Sequence, residues 1–384
     1  MKRFWGLTFV FVLVWTALPV GARGASLTVD AKSALLMDVA TGTVLMEQHA
    51  HEPLAPASVT KVMTMLLIME AIDSGRIGWE DSVIASETAA AKGGSQIYLK
   101  VGETMSVADM VKSIAVSSAN DCACAMAEHI AGSEEAFVSM MNSRAAELGM
   151  QDTHFVNCTG LDDSEEAKAH RTSAHDIALM SRELLKNHPD IKKYTTIWMD
   201  TVRQGEFGLS NTNKLVRFYP GCTGLKTGFT SGAGYCLSAS AERDGMELIA
   251  VVMGCETSQD RFQSCKRMLD YGFATYALVK PELQGPLTVP VTLGKSREVP
   301  AVPGDSSALL IDKALKNSVT TDITMDESVQ APVSKGQRLG TMTVRSGDRV
   351  LAQVPMVAET AVERLRFGDI FLMLLKKVFM VKGA

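Results

Sequence analysis

The sequence predicts a mixed α/β chain of the α+β kind. It consists of an antiparallel sheet with flanking helices and a helical insert, then a small all-β domain and a C-terminal amphipathic helix. Three observations carry this expectation. Strand-like segments occur at both ends of the first 280 residues, with Ala- and Met-rich helical patterns between them. Beyond Pro286 the composition turns to Val, Thr and Gly with closely spaced turns. The last residues set cations and large apolar side chains at helical spacing. Strands at both ends of a helical middle fit one sheet assembled from both ends.

The elements follow in order. Lys2 and Arg3 precede a largely apolar run from Phe4 to Val20 and the small residues Ala22 and Gly24. That is the layout of a signal peptide over residues 1–24, with cleavage after Gly24 or Ala22; the alternative is an uncleaved membrane anchor. Either way the chain is expected to be exported, at the outer face of the cytoplasmic membrane. Ser33 to Gln48 reads as two short strands around Thr41-Gly42. "PASVTK", Pro56 to Lys61, leads into a helix whose Val62, Met65, Leu66 and Met69 form a core-facing stripe. Val107 to Lys186 is mostly helical in pattern, broken at "HFVNCTGLDD" by loop-forming Asn, Gly and Asp. After Pro220, "AGYCLSASA" and "MELIAVVMGC" read as strands joined by a turn at Glu242 to Gly245, and "RFQSCKRMLDYGFATYAL" as a helix. The composition shift at Pro281 to Pro286 separates a first domain, 25–280, from a β-rich domain, 285–364.

At 100° per residue, Arg366, Asp369, Lys376 and Lys377 share one narrow sector of the final segment. Phe367, Ile370, Phe371, Leu372, Leu374, Leu375, Val378 and Phe379 fill the rest. The run is too short and too charged to span a bilayer. Residues 365–384 are therefore expected to lie in a membrane interface, the alternative being a helix packed on the β domain.

A chain of 384 residues can hold two domains with a sizeable core, and a net charge of −5 gives no reason to expect nucleic acid. Seven cysteines without a Cys-x-x-Cys leave at least one thiol unpaired in an exported protein. Cys122 and Cys124, two apart on a helix, diverge, and the set reads as small buried hydrophobes. A disulfide among the others stays open. His49-x-His51 lacks a third ligand nearby, so neither metal nor cofactor is expected.

Ser58 stands where a helix cap would, but the capping-box position three residues on holds Lys61 in place of Glu. A cation there opposes the positive end of the helix dipole, and a local rule broken without gain points to function. Two further short motifs follow: Ser118-Ala119-Asn120, and Lys226-Thr227-Gly228 just before the strand hairpin. Each alone is a common cap or turn; all three in this order are specific. Acyl transfer needs a nucleophile, a base, an oxyanion hole and a grip on substrate. Positions i and i+3 share a helix face, so Ser58 and Lys61 can touch. Desolvation, a second cation such as Lys226, and the helix N-terminus would lower the Lys61 pKa to that of a base. Ser118 can relay a proton to the leaving amine. Asn120 can hold Lys61 and a substrate amide, and Lys226 with Thr227 suits a substrate carboxylate.

"PASVTK", "GSQIYLKVGE", "VSSANDC", "GLKTGFT" and the trailing β domain with its tail together resemble the low-molecular-mass penicillin-binding proteins that are D-alanyl-D-alanine carboxypeptidases. The resemblance covers nearly the whole chain after residue 24. It implies the penicillin-binding-protein and β-lactamase type of catalytic domain. It also implies removal of the terminal D-Ala from peptidoglycan stem pentapeptides, and acylation by β-lactam antibiotics. The oxyanion hole it implies is formed by the backbone N–H groups of Ser58 and Phe229, beside Gly228, with Arg261 near the substrate carboxylate. Ala119 replaces a more usual Gly or Asp, and "VNCTGL" departs from the family pattern beside the site. A class A β-lactamase would add a Glu-x-x-Leu-Asn stretch, and the nearest here is Glu183 to Asn187, with Lys186 at the Leu position. The same motifs would also serve a transpeptidase, in which an amine replaces water as the acyl acceptor. A non-catalytic wall-binding scaffold would have no need of the intact Ser58, Lys61, Ser118, Asn120 and Lys226.

Overall fold

The computed structural model describes residues 27–280, 285–304 and 308–380. The expected signal peptide falls outside these residues. The first sheet has five antiparallel strands in the order Val44–Gln48, Ser33–Asp38, Met246–Cys255, Gly234–Arg243, Cys222–Thr230. It is thus assembled from both ends of its region, with the helices Lys61–Asp73, Val107–Ser117, Asn120–Ala131, Glu134–Glu147 and Ala174–Asn187 inserted between.

The pleat sorts the side chains. Leu35, Met37, Ile249, Val251 and Met253 join the core shared with the helical insert. Their alternating neighbours Ala34, Leu36, Leu248, Ala250 and Val252 join a second core under the helix Ser258–Thr275. Being covered on both faces, the strand Ser33–Asp38 is buried throughout. The Lys61–Asp73 helix sits at the centre of the first core. The expected stripe understates this burial: Met63, Leu67 and Ile68 are buried as well as Val62, Met65, Leu66 and Met69. Helices pack on several of its sides, so little of its circumference reaches water.

Ser258–Thr275 begins with a capping box between Thr257 and Asp260. It ends three residues before the sequence pattern predicts. Tyr276–Val279 is extended and pairs antiparallel with Leu309–Asp312, because Tyr276 leaves the helix at φ −116° and ψ 157°. Later strands form a six-stranded sheet around Val289, Val299, Leu339, Met342, Val354 and Met356. The chain closes in the helix Phe367–Met380, of which Phe367, Phe371, Leu372 and Leu374 are exposed. The side chains of Lys376, Lys377, Val378 and Phe379 lie outside the described residues.

Candidate active site

Ser58 is half-buried and is not a cap. It lies inside a 3-10 turn, Ala57–Thr60, that runs into the Lys61–Asp73 helix, and its hydroxyl accepts no backbone N–H. The turn starts from a strained residue: Ala57 has φ +48°. Gly160 and Gly228 flank it at close range. A Cβ on Gly160 would fall 1.8 Å from the Ala57 carbonyl oxygen, and one on Gly228 would fall 2.7 Å from that of Pro56 and 3.1 Å from the Ser58 nitrogen. Only glycine lets both backbones approach this turn.

Lys61 opens the helix with its side chain fully buried. Its Nζ lies 2.9 Å from Ser58 Oγ and donates to the Thr159 carbonyl at 2.8 Å. Burial pushes the amine down to about 7, against the raising effect of Cys158 and the Asp121 carboxylate. Lys226, also buried, is held well below the ordinary lysine range by desolvation and then by Lys61 and Arg261. The expected push of one amine on the other therefore falls on Lys226, and burial lowers Lys61.

Ser118 ends the Val107–Ser117 helix in the left-handed region, φ 63°, and its buried hydroxyl has no hydrogen-bond partner. Asn120 starts the next helix. The expectation that it holds Lys61 fails. Its Nδ2 donates to the Gly93 carbonyl at 2.7 Å, its backbone N–H bonds to Ser95, and its buried Oδ1 is unpartnered. Gly93 and Ser95 thus pin Asn120 at the start of the "GSQIYLK" loop, while the Asp121 carboxylate accepts from the Ile97 and Leu99 N–H groups of that loop.

Lys226, Thr227 and Gly228 lie inside the edge strand Cys222–Thr230 rather than ahead of the hairpin. Glycine and lysine, both poor strand formers, disguised the strand, but Lys226 pairs with Ser238 and Gly228 with Cys236. Lys226 Nζ donates to the Thr227 carbonyl at 2.8 Å, and Thr227 Oγ1 donates to Thr212 Oγ1 at 2.7 Å. Phe229 is 53% exposed and stacks on Tyr235 with ring centroids 4.3 Å apart. Arg261 is not a surface residue. It is buried against Tyr235 and Phe262 and donates to the Gly228 carbonyl at 3.0 Å, with Nε unpartnered.

Sequence reasoning missed the residues that act through their backbone or at second hand. Thr159 offers only a carbonyl to Lys61, so its residue type carries no signal, although it sits in the "VNCTGL" loop already marked as flanking the site. Thr212 and Asp121 support Thr227 and the "GSQIYLK" loop in the same way. The arrangement brings together a hydroxyl, a neutralisable amine, an unpartnered hydroxyl, a second buried amine and the Arg261 guanidinium. Those are the parts acyl transfer requires.

Comparisons with known proteins agree with this chemistry. A family model described as D-alanyl-D-alanine carboxypeptidase matches residues 20–257. A second, described as the C-terminal domain of penicillin-binding protein 5, matches residues 276–364. The D-alanyl-D-alanine carboxypeptidase DacF of Bacillus subtilis is 43% identical over 380 residues, covering 96% of each chain. Penicillin-binding protein 5 of Haemophilus influenzae is similar in structure, with a TM-score of 0.75 at 29% identity over 88% of this chain and 99% of that one. Penicillin-binding protein D2 of Listeria monocytogenes, solved in an ampicillin-bound form, has a TM-score of 0.56 at 32% identity, over 64% of this chain and 98% of that one.

Proposed function

The chain belongs to the D-alanyl-D-alanine carboxypeptidase family of serine peptidases, and on that premise we propose that Ser58 is its nucleophile and Lys61 the base that activates it. One observation carries the assignment: the fully buried Lys61 amine, lowered to about 7, lies between Ser58 Oγ at 2.9 Å and the Thr159 carbonyl at 2.8 Å. A neutral amine keeps one N–H on Thr159 and turns its lone pair to the Ser58 hydroxyl. Lys61 then takes the Ser58 proton as Oγ attacks the carbonyl carbon of the penultimate D-Ala. The backbone N–H groups of Ser58 and Phe229 hold the oxyanion. The unpartnered Ser118 hydroxyl carries a proton to the departing D-Ala amine as the C–N bond breaks. Water then attacks the ester, returning Ser58 and releasing the tetrapeptide.

Lys226, Thr227 and Arg261 favour the terminal carboxylate, and Asn120 Oδ1, which has no protein partner, receives a substrate N–H. The physiological substrate is the peptidoglycan stem pentapeptide, and β-lactams acylate the same serine. A lactamase reading is weaker. Glu183 binds Arg144 at 2.7 Å and Asn187 at 2.9 Å and is not free to activate water.

Among the described residues no helix is long and apolar enough to cross a membrane. The exposed Phe367, Ile370, Phe371, Leu372, Leu374 and Leu375 support a helix lying in a membrane interface. Fluorescent penicillin tests the assignment: the wild type is expected to label covalently and Ser58→Ala not at all. Labelling that survives the substitution contradicts it.

A further inference from the structure

His170 belongs to none of the three motifs, yet it is buried and bonded at both ring nitrogens. The Val156 backbone N–H donates to its Nδ1 at 3.1 Å. A backbone N–H can only donate, so Nδ1 carries no proton and Nε2 does. That Nε2–H faces Thr60 Oγ1 at 2.8 Å, and Thr60 Oγ1 in turn donates to the Ala57 carbonyl at 2.8 Å. The chain of bonds therefore has one direction: Val156 N–H, His170, Thr60, Ala57 carbonyl. It ends on the residue held at φ +48°, immediately before Ser58. Burial, then His154, Arg171 and Lys61, push the ring down to about 4, so it stays neutral and keeps this tautomer. Phe155 packs edge-on against the ring, with centroids 5.5 Å apart.

The segment bearing His170 is itself anchored. Backbone bridges join Arg171 to His154 and Thr172 to Leu54. Between the strapped residues runs the Asn157–Gly160 loop, whose Thr159 carbonyl holds Lys61 and whose Gly160 packs on the Ala57 carbonyl.

We propose that His170 is a positioning residue for the acylation step: through Thr60 it locks the strained Ala57 peptide and so aims the Ser58 hydroxyl at the substrate carbonyl. This rests on the reading of Ser58 as nucleophile. Nothing in the sequence motifs marks it, because the relay passes through a hydroxyl and a backbone oxygen.

The test separates the acylation rate constant from the dissociation constant for a fluorescent penicillin. His170→Ala is expected to slow acylation about 10- to 100-fold, the scale of a misaimed reacting group, with the dissociation constant within about twofold of wild type. His170→Gln, whose Oε1 and Nε2 supply the same acceptor and donor, is expected to restore most of the rate. Thr60→Val, close in shape but without the hydroxyl, is expected to match His170→Ala, and the double variant to be no slower than either single one. A wild-type rate in folded His170→Ala, no rescue by Gln, or losses that multiply in the double variant would each overturn the proposal. Should His170→Ala fail to fold, Thr60→Val decides alone, a wild-type rate again overturning it. Ser58→Ala is run alongside: if it still labels, the nucleophile assignment fails and not merely the role of His170.

Discussion

At the scale of single residues the site is governed by burial. An ordinary lysine is a cation far above neutral pH, and Lys61 suits the proposed role of base because its amine is taken out of water and left one carbonyl acceptor and one hydroxyl. The sign of the pH dependence follows. A depressed amine pKa means that the neutral, proton-accepting fraction grows as pH rises through about 7. Penicillin acylation is therefore expected to climb about tenfold per pH unit below that value and to level off above it. A stopped-flow pH series checks this, and a rate flat from pH 5 to 8 would remove Lys61 from the role of base. Lys61→Arg keeps a cation that cannot deprotonate, and it is expected to cost about 100-fold or more in the same assay.

At the scale of elements, the turn that bears Ser58 is closely packed by other parts of the chain. The Lys61–Asp73 helix is legible from its apolar pattern, and both short strands from the apolar residues on either side of the Thr41-Gly42 turn. The turn before the helix is not, because Ala57 adopts a conformation its side chain disfavours. Gly160 and Gly228 approach it closely, and the His170–Thr60–Ala57 hydrogen bonds meet it, from distant parts of the chain. The Lys226-Thr227-Gly228 strand was obscured for a related reason. Lys226 and Gly228 lower its strand propensity, where pairing with Gly234–Arg243 is strong. The stop of the Ser258–Thr275 helix depended on Leu309–Asp312, a partner a local pattern cannot see. The last helix was legible by its wheel, since amphipathic spacing needs no partner. Deleting residues from Leu365 onward is expected to move the protein from the membrane fraction to the soluble one, with penicillin labelling within about twofold of the full chain. A truncated form that stays with the membrane would place the anchor elsewhere.

At the scale of the whole molecule, a five-stranded sheet holds the two cores together, and the site opens where its edge strand meets the helical insert. None of the seven cysteines is bridged; six are buried and Cys222 is half-buried. The fold thus stands on packing, and reductant is expected to leave the Tm unchanged within about 1 °C. A fall of several degrees would reveal a disulfide, since one contributes about 2–4 kcal/mol. Purified protein would be incubated with a pentapeptide ending in D-Ala-D-Ala, with and without an added amine acceptor, and the products resolved by mass spectrometry. Free D-Ala in equal amount to tetrapeptide, formed by the wild type and absent with Ser58→Ala, is the predicted result; intact pentapeptide, or a cross-linked product in place of tetrapeptide, would contradict it.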